Sequence, residues 1–383
     1  MSLFLLFRPL RPRDPHESHR AATQLELFFD LISVIAIAAI TAAFHHAVSA
    51  GHGIETLPNF LFLFFATWWV WLNHTWYSSA FDNDDAMNRI MTFVIMAGFL
   101  LFAAGAARIF ETIDFGYGLW GWVIMRLGMA GLWLRVARSA PVYRGTALRY
   151  AAGIVFAQAL WCLLYFTVPG GSPVFFAGGI AIFAVELAVP AIAERFRATP
   201  WHRHHIIERY GLLNIIILGE ILLSISFMMG HLYSEGFDWA LVSAAAASLI
   251  IVFTLWWLYF LEAEHLVSSK LSTALIWGYG HVVVFFAGAL LAAGLGAQFD
   301  VLSHHSKIGM ALAGSYTGTA VALYLGGLWL VRDRFMTGGW VQLMAALLAA
   351  WLAWVGTTLW PLALLCLVAL LLRSTLGTRQ SVA

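Results

Sequence analysis

The chain has 383 residues, of which 61% are hydrophobic and only 11% are charged. Because charged residues make up about 25% of a typical soluble domain, this composition excludes an ordinary soluble protein. The formal net charge of +1 at pH 7 gives no reason to expect nucleic acid as a partner. We therefore predict an all-α, polytopic integral membrane protein whose main partner is the lipid bilayer.

The N-terminal segment, residues 1–24, is predicted to be retained and to lie in the cytoplasm. Residues 1–7 are apolar, but they are too few for the core of a signal peptide. Arg8, Arg11 and Arg13 follow without the small-residue cleavage site that a signal peptide carries.

Twelve apolar segments follow, and most approach or exceed the roughly 20 residues that a membrane-spanning helix needs. They are 25–48, 57–80, 87–109, 117–138, 147–168, 173–193, 206–230, 237–262, 272–297, 308–331, 338–355 and 358–373. The last two are separated only by Gly356 and Thr357. Asp84 is a candidate cap for the third segment, and a Gly-Gly-Ser-Pro run at 170–173 separates the fifth from the sixth.

The basic residues predict the orientation of these segments. With the N-terminus in the cytoplasm, nearly all of the 21 Lys and Arg residues fall in stretches that face the cytoplasm. Lys307 falls outside, and Arg108 and Arg126 lie within segments. This imbalance fits the positive-inside rule for twelve segments, so both termini are predicted to be cytoplasmic.

Two motifs recur at corresponding places in the chain and predict an internal duplication. The sequence Gly-Leu-Trp-Leu occurs at 131–134 and at 327–330, and a tryptophan-rich stretch occurs at 67–71 and at 254–259. We predict two tandem six-helix repeats, 25–193 and 206–373, joined by a cytoplasmic linker, 194–205, and followed by a cytoplasmic tail, 374–383. Because six is an even number, the repeats share one orientation.

Ionisable side chains within the predicted spans are the first functional candidates, since each costs roughly 2.5–3.5 kcal/mol to insert. Asp30 lies one turn after Glu26, on the same face of the first segment. Glu220 lies near the middle of the seventh segment, Arg126 in the fourth and Glu186 in the sixth.

Two interpretations of these charges remain open. In the first, Arg126 forms a structural ion pair with Glu186, Glu220 or Asp30. In the second, one or more carboxylates bind a proton or a cation during transport. His74 also has two interpretations. It can relay protons, or it can pack in the core through hydrogen bonds.

An acidic cluster follows the second segment and is predicted to lie on the cytoplasmic side. It consists of Asp82, Asp84 and Asp85 with Arg89. Acidic residues favour a helix N-terminus, and Asp85 and Arg89 have the i, i+4 spacing of an ion pair. Helix capping is the first interpretation, and a cation site is the alternative.

The tryptophans near the predicted cytoplasmic helix ends favour an interfacial belt, with substrate stacking as the alternative. They are Trp68, Trp69, Trp71, Trp76, Trp256 and Trp257.

Several kinds of enzyme and cofactor site are not indicated. The chain has no Gly-rich phosphate loop, no paired-cysteine motif and no His-Glu-x-x-His helix. Lys270 and Lys307 both lie in predicted loops, which disfavours a retinal Schiff base. Adjacent histidines, such as His45 and His46, point in different directions on a helix. We expect no metal, no cofactor and no enzymatic activity.

Several motifs together resemble the bacterial low temperature requirement A (LtrA) family over essentially the whole chain. They are Glu-Leu-Phe-Phe-Asp-Leu at 26–31, Trp-Trp-Val-Trp-Leu-Asn-His at 68–74, Phe-Asp-Asn-Asp-Asp at 81–85, Glu-Arg-Tyr-Gly-Leu at 208–212, Leu-Gly-Glu at 218–220 and Leu-Trp-Trp-Leu-Tyr-Phe at 255–260. The resemblance implies a multi-spanning protein of the bacterial inner membrane, linked to growth in the cold, without a settled substrate.

The Phe-Phe-Asp motif at 28–30 is also similar, more distantly, to the Phe-Ser-Asp helix of the endolysosomal potassium channel family, in which the first helix of each repeat lines the pore. Phe29 stands where that family has serine, and Asn214 stands where the seventh segment would have aspartate. The pore residues of that family are therefore not reproduced here.

These observations predict a membrane transporter or channel for a small ion or solute, coupled to protons or cations through buried acidic residues. The alternative is a non-transporting membrane sensor or an intramembrane enzyme, in which the buried charges are structural. A homodimer is an open alternative to a monomer.

Overall fold

The computed structural model describes residues 10–18, 20–235, 238–262, 266 and 270–378, although the side chains of 227–235, 271, 377 and 378 are not described. Parts of the predicted cytoplasmic segment 1–24 and of the predicted tail 374–383 lie outside these residues. Within the described part, all regular structure is helical, so the all-α prediction is confirmed.

Thirteen α-helices follow one another in this part of the chain, and twelve of them are long. They are α1 (Gln24–Ser49), α2 (Gly53–Phe81), α3 (Ala86–Ala104), α4 (Ala106–Thr112), α5 (Gly116–Ser139), α6 (Arg144–Thr167), α7 (Pro173–Glu194), α8 (Arg203–Glu235), α9 (Trp239–Phe260), α10 (Leu271–Leu302), α11 (Met310–Val331), α12 (Trp340–Val355) and α13 (Leu359–Thr378). Short 3₁₀ helices lie at Pro141–Tyr143 and Asp333–Phe335.

Each of the twelve predicted segments corresponds to one long helix. Among the described residues, seven helices are long and apolar enough to cross a membrane. The third predicted segment is interrupted at Gly105, where α3 ends and the short α4 begins. The predicted break at 170–173 contains Ser172, whose hydroxyl accepts a hydrogen bond from the Phe175 amide and so caps α7.

The chain forms two compact units. The first unit contains the described residues up to Ile40 together with Leu61–Arg209. The second unit contains Thr41–Phe60 and the described residues from Tyr210 onward. The end of α1 and the start of α2 therefore belong to the second unit. The tandem six-helix repeat and its parallel orientation remain predictions.

Close helix packing in the first unit depends on small residues in α3 and α5. A Cβ atom on Gly121 would lie 2.5 Å from the backbone nitrogen of Phe102 and 2.7 Å from the carbonyl oxygen of Gly98. Small residues let helix backbones approach closely, which is the main source of van der Waals contact between helices in lipid. This packing fixes α5, the helix that carries Arg126.

The second unit has a comparable contact between α10 and α11. A Cβ atom on Gly294 would lie 2.8 Å from the backbone nitrogen of Thr317. Beside it, the buried Gln298 side-chain amide donates a hydrogen bond of 2.7 Å to the Thr317 hydroxyl. A polar pair of this kind holds two apolar helices at one register.

Candidate functional site

The start of α1 and the start of α8 place complementary side chains opposite each other in the first unit. Glu26 and Asp30 lie one turn apart on α1, and His205 and Arg209 lie one turn apart on α8. The Arg209 guanidinium donates two hydrogen bonds to Asp30, at 2.6 Å from Nη2 and 3.0 Å from Nε. Both side chains are 0% exposed, so this ion pair is removed from solvent.

Glu26 is held by several donors. One of its carboxylate oxygens lies 3.0 Å from Arg209, 3.1 Å from His205 and 3.7 Å from Arg20. The other accepts a 2.8 Å hydrogen bond from the Thr23 amide, and the Thr23 hydroxyl accepts one from the Glu26 amide. This reciprocal pair is a capping box, which explains why α1 begins here.

The tryptophans of α2 donate to two different buried carboxylates. The Trp71 indole donates a 2.7 Å hydrogen bond to Asp30, and the Trp69 indole donates a 3.1 Å hydrogen bond to Glu186. Two positions along a helix are about 200° apart, so these indoles leave α2 on nearly opposite sides. Asp30 and Glu186 therefore belong to separate polar clusters on either side of α2.

Glu186 on α7 forms an ion pair with Arg126 on α5, and both side chains are 0% exposed. This selects one of the three partners that the sequence left open for Arg126. Glu186 also accepts a 3.1 Å hydrogen bond from Gln158 on α6. The arginine carbon Cζ lies 5.6 Å from the centre of the Trp122 ring, within cation–π range. Four helices thus meet at one buried ion pair.

His74 on α2 is a packed, hydrogen-bonded side chain. Its ring stacks on Phe29 with centroids 3.8 Å apart, and Nε2 lies 3.3 Å from the Thr92 hydroxyl. Nδ1 lies 3.5 Å from the Ser78 hydroxyl. This geometry fits the packing interpretation of His74, and its role as a proton relay remains a hypothesis.

Glu220 differs from the other acidic candidates. It lies 17 residues after the start of α8, or about 26 Å along the helix axis. Within the described part of the chain, its carboxylate has no ion pair and no hydrogen-bond partner, and the side chain is half-buried. A Cβ atom on the neighbouring Gly219 would meet nothing within 4 Å. No side chain among the described residues therefore compensates the charge of this carboxylate.

The acidic cluster that follows α2 caps α3, but with a different residue from the one predicted. Asp85, not Asp84, is the N-cap, and its carboxylate accepts a hydrogen bond from the Asn88 amide. The reason lies in the backbone, because Asp85 is extended at the cap position whereas Asp84 has a φ of 40°.

The predicted Asp85–Arg89 ion pair is also replaced. Arg89 pairs with Asp84 at 2.9 Å on the exposed surface, while Asp85 pairs with Arg135 at the end of α5. Asp82 accepts hydrogen bonds from the Asp84 amide and the Asn88 side chain. Burial, reinforced by the nearby Glu26 charge, raises the pKa of Asp82. These contacts favour the capping interpretation over a cation site.

The prediction of an interfacial belt is wrong for three of the tryptophans. Trp68, Trp69 and Trp71 are at most 1% exposed and lie inside the first unit. In the structure α2 runs from Gly53 to Phe81, so these tryptophans lie near its middle and not at its end. Trp256 and Trp257 on α9 are 45% and 56% exposed, as belt residues would be.

The second unit contains polar pairs that the sequence did not single out. Asp300 on α10 accepts a 2.6 Å hydrogen bond from the Ser49 hydroxyl and lies 2.8 Å from Nε2 of His45. The Tyr324 hydroxyl donates a 2.9 Å hydrogen bond to Asn214. Within the described residues, no three His, Cys, Asp or Glu side chains are grouped as metal ligands.

Arg209 is the main site residue that sequence reasoning missed. On the sequence alone it groups with the cytoplasmic arginines, because it follows directly on a polar, His-rich stretch. A signal was available, since acids at 26 and 30 and bases at 205 and 209 have the same i, i+4 spacing at the starts of the first and seventh segments.

Residues 21–374, nearly the whole chain, match the profile of the family described as bacterial low temperature requirement A protein (LtrA). The chain belongs to this family. The resemblance predicted from the motifs is therefore confirmed. Every side chain of the Asp30 and Glu186 clusters, except Arg20, lies within the matched range.

The chain is also similar to an uncharacterized protein, RA0937, of Rhizobium meliloti (strain 1021). The two are 25% identical over 325 residues, which cover 80% of this chain and 76% of the relative. Together with the apolar helices, membership of the LtrA family identifies a bacterial membrane protein.

Proposed function

We propose that this LtrA-family protein is a multi-pass transporter or channel of the cytoplasmic membrane, with both termini in the cytoplasm. It moves a small ion or solute, coupled to a proton or cation that binds an acidic side chain. The proposal includes no enzymatic step.

The state of Glu220 is the observation that carries this proposal. Asp30, Glu26 and Glu186 each have an arginine partner and at least one further donor, so their charges are compensated by the protein. Glu220 has no such partner among the described residues. Glu220 lies near the middle of a predicted membrane-spanning segment, where a carboxylate is costly unless a proton or cation compensates it. Exchange of that proton or cation is what coupled transport requires.

Flux through purified protein tests this proposal. The protein is reconstituted into liposomes that contain a pH-sensitive dye, and proton flux is followed after a pH or potassium gradient is imposed. We expect flux above that of empty liposomes, and we expect Glu220→Gln to lose most of its pH dependence.

Glu111→Gln is the matched control, because Glu111 is an exposed acidic residue in the short helix α4. It should behave like the parent protein. Equal flux and equal pH profiles for the parent and Glu220→Gln would refute the assignment of Glu220.

The second candidate is a non-transporting membrane protein in which buried charges only hold helices together. The hydrogen bonds that Trp71 and Arg209 donate to Asp30, and the ion pair between Arg209 and Glu26, favour this alternative for the first cluster. Absence of any flux above that of empty liposomes, for all ions and solutes tried, would favour it for the whole protein.

A further inference from the structure

The first unit has an arginine-rich surface where α6 begins and α7 ends. We call it the arginine surface, and it consists of Arg144 and Arg149 in the first two turns of α6 and of Arg195 and Arg197 directly after α7. All four residues are exposed. Both helices are long and apolar enough to cross a membrane, so their ends lie at the level of the lipid headgroups.

Contacts between the two segments hold the arginine surface together. The Thr146 hydroxyl donates a 2.8 Å hydrogen bond to the backbone carbonyl oxygen of Arg197. The ring of Phe196 lies so close to Gly145 that it leaves no room for a Cβ atom there. The start of α6 and the segment after α7 therefore form one patch.

Aromatic rings position two of the guanidinium groups. The Cζ atom of Arg149 lies 4.3 Å from the centre of the Phe196 ring, and that of Arg197 lies 5.5 Å from the centre of the Tyr143 ring. Both distances are within cation–π range. Arg149 also donates a 2.9 Å hydrogen bond from Nη1 to the carbonyl oxygen of Gly145. Arginine has five N–H donors, so most of them stay available to an anion.

The protein supplies no anion to the arginine surface. Within the described part of the chain, none of its arginines has an ion pair. The nearest acidic residue in the sequence, Glu194, is buried, where it accepts hydrogen bonds from the Tyr150 hydroxyl and from the amide and hydroxyl of Thr199. By contrast, the exposed Arg89 is paired with Asp84. The positive charges of the arginine surface are therefore left for a ligand.

Exposed apolar side chains lie among these arginines. Ile192 and Phe196, four positions apart near the end of α7, are both more than half exposed. Leu148, which precedes Arg149 on α6, is also exposed. A ligand that matches this surface combines a negative charge with an apolar part, and a free inorganic anion has no apolar part.

We propose that the arginine surface binds an anionic phospholipid of the surrounding membrane. Arg149 and Arg197 donate hydrogen bonds to the phosphate oxygens, and the acyl chains lie along Ile192 and Phe196. Arginine suits this role because its planar guanidinium can donate two parallel hydrogen bonds to a phosphate. Basic pockets between membrane helices are a general means of binding anionic headgroups. This site does not depend on the proposed transport.

Lipid binding to the purified protein in detergent tests the proposal. Phosphatidylglycerol and phosphatidylcholine are titrated separately, each with the same dansyl-labelled acyl chain, and energy transfer from tryptophan reports binding. We expect phosphatidylglycerol to bind about tenfold more tightly, because only its headgroup carries a net negative charge. Excess inorganic phosphate should not displace it, because phosphate has no acyl chains.

Variants locate the binding site. Arg149→Gln combined with Arg197→Gln should weaken phosphatidylglycerol binding about tenfold or more, since each arginine near an anionic headgroup contributes roughly a factor of five. Phosphatidylcholine binding should not change. Arg89→Gln is the matched control, because Arg89 is an exposed arginine on the same predicted side of the membrane that is already paired with Asp84. It should leave both affinities unchanged.

Three results would overturn the proposal. They are equal affinity of the parent protein for the two lipids, equal effects of Arg89→Gln and of the folded double variant, and displacement of the lipid by inorganic phosphate. The last result would indicate a site for free phosphate. Thermal unfolding establishes that each variant is folded. If the double variant does not fold, the single variants Arg149→Gln and Arg197→Gln replace it, each with roughly fivefold weaker binding expected.

Discussion

At the scale of single residues, two buried arginines, Arg126 and Arg209, decide the electrostatics of the first unit. Removing one partner of a buried ion pair leaves an uncompensated charge, which is more destabilising than removing both partners. The sequence left open whether Arg126 pairs with an acid, and with which of three, since hydropathy does not report which helices are neighbours. The structure selects Glu186.

This pairing predicts a specific pattern of stability. Arg126→Met should destabilise the protein by about 3–5 kcal/mol, because Glu186 is left buried without its cation. Adding Glu186→Gln should recover much of this loss. Adding Asp30→Asn or Glu220→Gln should not, because neither residue contacts Arg126. Thermal unfolding in detergent measures all four variants, and equal recovery with all three acids would refute the pairing.

A second residue-scale prediction concerns Asp82, which lies between α2 and α3. Its pKa is raised in the folded protein by burial, so the ionised form penalises folding. The penalty is fully present above the folded pKa and disappears below the ordinary aspartate value of about 3.9. Asp82→Asn removes the charge and keeps an acceptor oxygen. It should be more stable than the parent at pH 7, with the difference shrinking as the pH falls.

Asp114, between α4 and α5, provides a control because its pKa is shifted in the opposite direction. Its pKa is lowered by hydrogen bonds from the Gly116 amide and from Arg108, so the ionised form favours folding above the ordinary aspartate value. Asp114→Asn should therefore lower stability at pH 7, and this loss should also shrink at low pH. If the stabilities of the two variants, relative to the parent, changed with pH in the same direction, the assigned causes of the two pKa shifts would be contradicted.

At the scale of helices, the twelve apolar segments were predictable because spanning length and apolar content are properties of the sequence itself. The break at Gly105 and the burial of Trp68 and Trp71 could not be predicted from the sequence, because both depend on which helices surround α2 and α3. The same limit applies to the cap at Asp85, where a single backbone angle at Asp84 decides which carboxylate faces the helix end.

The contact between α3 and α5 gives a prediction at this scale. Gly121→Ala should destabilise the protein by about 1–3 kcal/mol, because the added methyl group would meet the backbone of α3, which cannot move without separating the helices. Gly219→Ala is the matched control in α8, where the added group meets nothing, and it should be neutral or slightly stabilising. Thermal unfolding in detergent distinguishes the two, and equal effects would contradict the close approach.

At the scale of the whole molecule, the sequence predicts a topology that follows from the placement of its arginines. Both termini should be cytoplasmic, and the loop between α6 and α7 should be outside. The two compact units do not follow from the repeated motifs, because the end of α1 and the start of α2 cluster with the second unit. The division into these units depends on contacts between segments that are far apart in the sequence. A sequence repeat does not reveal such contacts.

Labelling of single cysteines tests this topology. The native Cys162 and Cys366 are first replaced by alanine, and a cysteine is then introduced at Pro169, between α6 and α7, or at Ser139, at the end of α5. A membrane-impermeant maleimide added to intact cells should label the cysteine at 169 and leave the one at 139 unlabelled until the cells are opened. The reverse pattern would invert the proposed orientation.

The central claim is that Glu220 can exchange a proton, whereas Glu26, Asp30 and Glu186 are held by arginines. Dicyclohexylcarbodiimide enters membranes and reacts with carboxyl groups that carry a proton, so it reports this difference directly. After treatment of proteoliposomes, peptide mass mapping should find one adduct within the membrane helices, at Glu220, and none at Glu26, Asp30 or Glu186. An unmodified Glu220 beside a modified Asp30 or Glu186 would contradict the account.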